Sequence, residues 1–171
     1  MRNKILLICL FAHTQLAHAD DKIALDKIQS FAAELKTTLV SAMAKGPQHA
    51  ITVCKDQATQ IAKKHSTNEV QIGRVSHKAR NPNNTVRDWM QESVDLYLQK
   101  KISADYQHVE ISKTKYGIIK PIKTGGVCLT CHGEQIPKNL QNKLTEHYPK
   151  DMATGFKNGE IRGFFYAIVN K

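Results

Sequence analysis

The sequence predicts an α+β fold built on an antiparallel sheet. Helical periodicity dominates the front of the chain. Short alternating segments of strand character follow it, scattered and without regular strand–helix–strand alternation. No internal repeat and no linker interrupts the 171 residues, so residues 20–171 are expected to form a single domain. The 41% apolar content suffices for a packed core, while the 6% aromatic content is lean.

Residues 20–45 carry Ile28, Phe31, Leu35, Leu39 and Met43 at spacings of three or four, and Gly46-Pro47 ends the run. A second helix is expected over 47–65. Pro47 suits its first turn, and Ile51, Cys54, Ala58 and Ile61 form its apolar stripe, so Cys54 points inward. Residues 70–75 alternate as a short strand does. Asn81-Pro82-Asn83-Asn84 is a turn, after which Asn84 or Thr85 can cap a helix over 86–101 with Trp89, Met90, Val94 and Leu98 on one face. Residues 108–123 alternate again and suggest two strands joined tightly at Tyr116-Gly117. A short helix is expected over 137–147 and a last strand over 161–169.

Residues 1–19 read as an export signal rather than as part of the fold. Met1-Arg2-Asn3-Lys4 is positive, residues 5–12 are apolar, and Ala17-His18-Ala19 is the small-x-small pattern that signal peptidase cuts. The apolar run is too short to span a bilayer, and Cys9 lies inside it after Ile8, unlike a lipoprotein signal. The competing reading is an amphipathic first helix. Cleavage after Ala19 sends residues 20–171 to an oxidising compartment, the periplasm of a two-membrane cell, without a transmembrane segment. Losing Arg2 and Lys4 lowers the formal charge from +10 to +8. The composition excludes a disordered tail and a multi-span membrane protein, and export makes nucleic acid a poor partner. The basic excess suits an acidic partner protein or an anionic membrane surface.

Cys128-Leu129-Thr130-Cys131-His132 is a C-x-x-C-H run. Two thiols at this spacing can add across the two vinyl groups of one haem, and the next residue, His132, is then held under the iron as proximal ligand. A thioredoxin-like pair would follow a strand and open a long helix, whereas glycines flank this run. A structural zinc site would need a second close ligand pair, which the sequence lacks. A plain disulfide is the bland alternative. One such motif implies one covalent haem c.

The sixth iron position has several candidates: Met43, Met90, Met152, Cys54, His49, His65, His77, His108 and His147. Met43 and Met90 lie on apolar helical stripes and read as core; the histidines sit mostly among polar neighbours and read as solvated. Cys54 would be an odd thiol in an oxidising compartment unless something occupies it, although an inert buried cysteine is the common alternative. Arg74 and Arg80 are candidate partners for haem propionates, because a guanidinium grips a carboxylate with two prongs. The competing reading of Arg80-Asn81-Pro82-Asn83-Asn84 is a purely structural turn.

The mature chain resembles a single-haem c-type family described as a domain of unknown function with a PAS-like fold. The resemblance is carried by Ala50-Ile51-x-Val53-Cys54, by Gly73-Arg74-Val75-Ser76 with Arg80-Asn81-Pro82-Asn83-Asn84, and by Cys128-Leu129-Thr130-Cys131-His132-Gly133. Its last block is Tyr148-Pro149-x-Asp151-x-Ala153-Thr154-Gly155-Phe156 with Gly159-x-Ile161-Arg162-Gly163. The resemblance implies an antiparallel sheet flanked by helices and His/Cys axial ligation in which Cys54 is the distal ligand. His77 stands where an apolar residue is commoner in that family. A thiolate ligand favours ferric iron and a low potential. Two function classes follow: an electron-transfer cytochrome working with a redox partner, or a redox or diatomic-gas sensor working through a separate protein. A peroxidase-like enzyme would need an open distal site and acid/base residues, for which His77 with Arg74 or Arg80 is only a loose match.

Overall fold

The computed structural model describes residues 14–171, with side chains from Asp21 onward. The positive start and apolar run of the expected export signal lie outside the described residues. Helix α1 (Thr14–Met43) runs without a break across Ala19, where the sequence predicts cleavage. No helix among the described residues is long and apolar enough to cross a membrane.

Helix α2 (Pro47–His65) turns back on α1 after Gly46, whose φ of 104° favours a residue without Cβ. Strand β1 (Val70–Val75) follows, then two single-turn helices (Pro82–Asn84 and Asp88–Met90) and α3 (Gln91–Leu98). Strands β2 (Gln107–Ser112) and β3 (Lys115–Lys123) form a hairpin. Helix α4 (Gly126–His132), helix α5 (Lys138–His147) and strand β4 (Ile161–Asn170) complete the chain. The sheet has the order β1-β4-β3-β2 and every pairing is antiparallel, as the sequence predicts.

The sheet buries both faces. Side chains alternate along each strand, so Ile118 and Ile119 belong to different cores. One core joins Ala24, Ile28 and Phe31 of α1 and Ile61 of α2 to Val70, Ile72 and Ile118. The other packs Met90, Val94 and Tyr97 against Val75, Ile119, Phe164 and Tyr166. A smaller cluster joins Ile51 of α2 to Leu140 and Leu144 of α5 and to Ile136.

Two expectations change. The β2–β3 connection falls at residues 113–114, not at Tyr116-Gly117. Gly117 lies inside β3 because the Trp89 ring occupies the space a Cβ would need. The helix expected over 86–101 is shorter, with a 3-10 turn at its start and the chain turning out at Lys100, φ 57°. The C-x-x-C-H run is itself helical.

The histidines are mostly engaged rather than solvated. His65 bonds Glu34 at 2.7 Å, linking α2 to α1. His108 Nδ1 donates to the buried carboxylate of Asp21 at 2.7 Å, and the Tyr106 hydroxyl donates to the same group at 3.2 Å. His108 also stacks on Tyr116, so α1 is tied to the outer strand β2. His77 packs edge-on against Phe156 with its Nδ1 buried.

Candidate functional site

Helix α4 is short, and its pitch explains its chemistry. Residues three apart share a helix face, so Cys128 and Cys131 stand side by side, and His132 follows at the last turn. Gly133 closes the helix with an N–H bond to Leu129 O at 2.9 Å; a Cβ there would sit 2.6 Å from that same oxygen.

The segment from Asp151 to Phe156 clamps the end of α4. Gly155 N–H donates to Gly133 O and Phe156 N–H to His132 O, each at 2.9 Å, which satisfies carbonyls that a helix end leaves open. His132 Nδ1 donates to Ala153 O at 2.7 Å. A carbonyl only accepts, so Nδ1 carries the proton and Nε2 keeps a free lone pair in the neutral ring. Ala153 is held in turn: its N–H donates to Asp151 Oδ1 at 2.8 Å, and Arg80 Nε donates to Asp151 Oδ2 at 3.0 Å. Arg80 Nη2 also donates to Cys131 O at 2.5 Å and to Ala153 O at 3.2 Å. Arg80 therefore spans the C-x-x-C-H turn and the loop that aims its histidine.

A cavity of about 1100 Å³, counting solvent at its mouth, opens between α2, α4, the end of β1 and the start of β4. Its walls include all six site residues the sequence singles out: Cys54, Arg74, Arg80, Cys128, Cys131 and His132. Cys54 comes from α2 across the cavity wall, and the three cysteines among the described residues are free thiols. Met43, expected in the core, instead lines this cavity together with Leu39, because α1 extends over it at its last turn. Met90 is core, with no exposure.

Two lining residues had no role in the sequence reading. Tyr148 follows α5, and burial, with Cys54 nearby, pushes its hydroxyl above the usual tyrosine range. Arg162 sits at the start of β4 where the pairing with β3 slips, since Ile122 faces Gly163 but Lys123 faces Ile161. The bulge turns Arg162 away from regular alternation, which is why periodicity missed it. Arg74 was legible: it continues the inward face of Val70 and Ile72, where alternation calls for an apolar side chain.

The cavity is strongly positive, and no Asp or Glu lines it. Burial, with the guanidiniums of Arg80, Arg162 and Arg74 nearby, holds His132 well below 6.5, so the ring is neutral. Burial and the neighbouring Arg74 push Arg162 down to about 10. Burial lowers Arg74 as well, partly offset by Cys54. Burial raises the Cys131 thiol, a pull that Arg80 opposes.

Comparison with known proteins completes the description. The family model for Tll0287-like proteins matches residues 12–170, nearly the whole chain. The chain belongs to the Tll0287-like family. Among solved structures it is similar to the crystal structure of the cyanobacterial heme-protein Tll0287, at 26% identity and a TM-score of 0.55. The match covers 85% of this chain and 92% of that one. No curated protein matches. The α+β architecture with an antiparallel sheet is thus that of the Tll0287-like family, as the sequence resemblance implies.

Proposed function

We propose that this chain is an exported c-type haem protein that carries out one-electron chemistry. The single observation behind the proposal is the His132–Ala153 hydrogen bond in a cavity shared with three free thiols. It leaves a neutral imidazole with Nε2 available, the form that ligates iron, and a carbonyl partner on Nδ1 is the usual way such a ring is oriented. Cys128 and Cys131 have the spacing and the free sulfurs for two thioether bonds. The donor set therefore fits the group that the related heme-protein is named for.

In this reading His132 is the proximal ligand and Cys54 supplies the distal one. The haem provides a one-electron iron couple; everything else is the work of the protein. Arg80 and Asp151 fix the Ala153 carbonyl and so fix the imidazole. A thiolate from Cys54 would push electron density toward iron and lower its potential. Delivery to the periplasm after cleavage at Ala19, and exchange of electrons with an acidic partner protein, complete the proposal; the formal charge of +8 left after that cleavage suits such a partner.

A redox titration followed by absorbance, with and without CO, tests it. One reversible couple with unchanged ligation and no CO adduct is the expected result for a carrier. Loss of the distal ligand on reduction, with tight CO binding, would make the protein a sensor instead. A pyridine haemochrome spectrum lacking the signature of two thioethers would overturn covalent attachment.

A further inference from the structure

We propose that Arg74 and Arg162 form a two-guanidinium cradle that takes the two propionate carboxylates of the haem, and that Arg80 takes no part in it. The cradle deepens the haem-binding proposal above and rests on that reading. Five cationic side chains line the cavity besides His132, and three of them are already engaged. Arg80 is committed to Asp151 and two carbonyls. Lys78 donates to Thr154 O and lies over the Phe156 ring, and Lys55 contacts His147. That leaves two.

Arg162 Nε is buried without a hydrogen-bond partner, and Arg74 makes no hydrogen bond or ion pair among the described residues. Both side chains are half-buried in the cavity wall, and burial holds each pKa down. Two half-buried guanidiniums without a protein partner, on adjacent antiparallel strands and with no carboxylate in the wall, are costly in the free chain and suit anions from a ligand. The guanidinium fork matches a carboxylate, and two forks match two carboxylates. The bulge at Arg162 is the backbone device that turns the second fork into the cavity.

A ferric porphyrin core of +1, a thiolate of −1 and two propionates of −2 would leave −2, the charge that two guanidiniums match; Arg80 is already balanced by Asp151, while Lys55 and Lys78 keep their charge with no carboxylate in the wall.

The test uses the full chain prepared without attached haem, titrated with haemin and with haemin dimethyl ester, whose propionates are esterified. Binding is read by Soret absorbance and by quenching of Trp89, the one tryptophan. The wild type should prefer haemin to the ester. Arg162→Gln and Arg74→Gln should each weaken haemin binding about tenfold to a hundredfold while leaving ester binding unchanged. Arg80→Gln should weaken both ligands alike, because it loosens the loop. Equal wild-type affinity for haemin and ester overturns the cradle, as does an equal loss for both ligands in the Arg162 and Arg74 variants. Should a variant fail to fold by circular dichroism, the wild-type comparison of the two ligands still decides. No binding of either ligand to the wild type overturns the haem proposal itself.

Discussion

In the proposed ligation, Cys54 is the residue on which the electronic character of the site would turn. Cys54→Ser should shift the Soret band and remove near-infrared absorption due to thiolate ligation; an unchanged spectrum would remove Cys54 from the coordination sphere. Asp151 carries a different burden. It is largely buried with Arg80, and Asp151→Ala would strand that guanidinium and release the Ala153 amide. The expected cost is about 3 kcal/mol, read from urea denaturation, because a buried charge loses its partner. At this scale the sequence was most legible where chemistry is local. Cys128, Cys131 and His132 follow from spacing, and Arg74 from a charge on an apolar face. Arg162 stands in a family block, but its place in the cavity was not legible, because it depends on a slip between two strands far apart in sequence. Met43 was misplaced for a related reason: its stripe is helical, but the last turn of α1 projects past the core to the cavity.

Among the elements, the helical hairpin owes part of its closure to Glu34 on α1, which accepts from Lys64 at 2.9 Å and from His65 at 2.7 Å on α2. Hydrogen bonds from Lys64 and then His65 hold its carboxyl below 4.5. A carboxylate whose folded pKa is depressed contributes stability above its unfolded value and loses it as pH falls through the folded one. Glu34→Gln should therefore lower the urea midpoint at pH 6 and converge with the wild type only once the pH falls below the depressed folded pKa of Glu34. A gap that persists unchanged at low pH would disprove this. In the hairpin of β2 and β3, Gly117→Ala would drive a methyl into the Trp89 ring. Overpacking of this kind costs about 1–3 kcal/mol, measurable by thermal unfolding with Trp89 fluorescence as reporter. Helices announced themselves by periodicity, and their order gave the fold class. The β2–β3 turn did not, because Tyr116-Gly117 looks like a turn locally, and only the ring packed over Gly117 explains why it is strand.

Across the whole molecule, the sheet divides the labour. One face and α1 supply bulk packing, while α2, α4 and the loop after α5 gather at one end around the cavity. Distant blocks of sequence meet there, which is why the family resemblance rested on segments separated by long stretches without a motif. We expect export to release a mature chain beginning at Asp20, and intact mass spectrometry of the secreted product checks this: the measured mass should equal residues 20–171 plus one haem, and a retained Met1 would contradict it.

The buried Asp21 then acquires a second meaning. Its carboxylate is gripped by His108 on the edge strand β2 and by Tyr106 just before it. With cleavage after Ala19, a single residue precedes that anchor. The trimmed terminus would offer almost no slack to an aminopeptidase, and Asp20 and Asp21 would then lie in the first turn of α1, where the helix dipole favours their carboxylates and they offset the positive charge of the new amino terminus. A contact that ties a helix to a strand would thereby also set how the mature protein withstands digestion from its own front end.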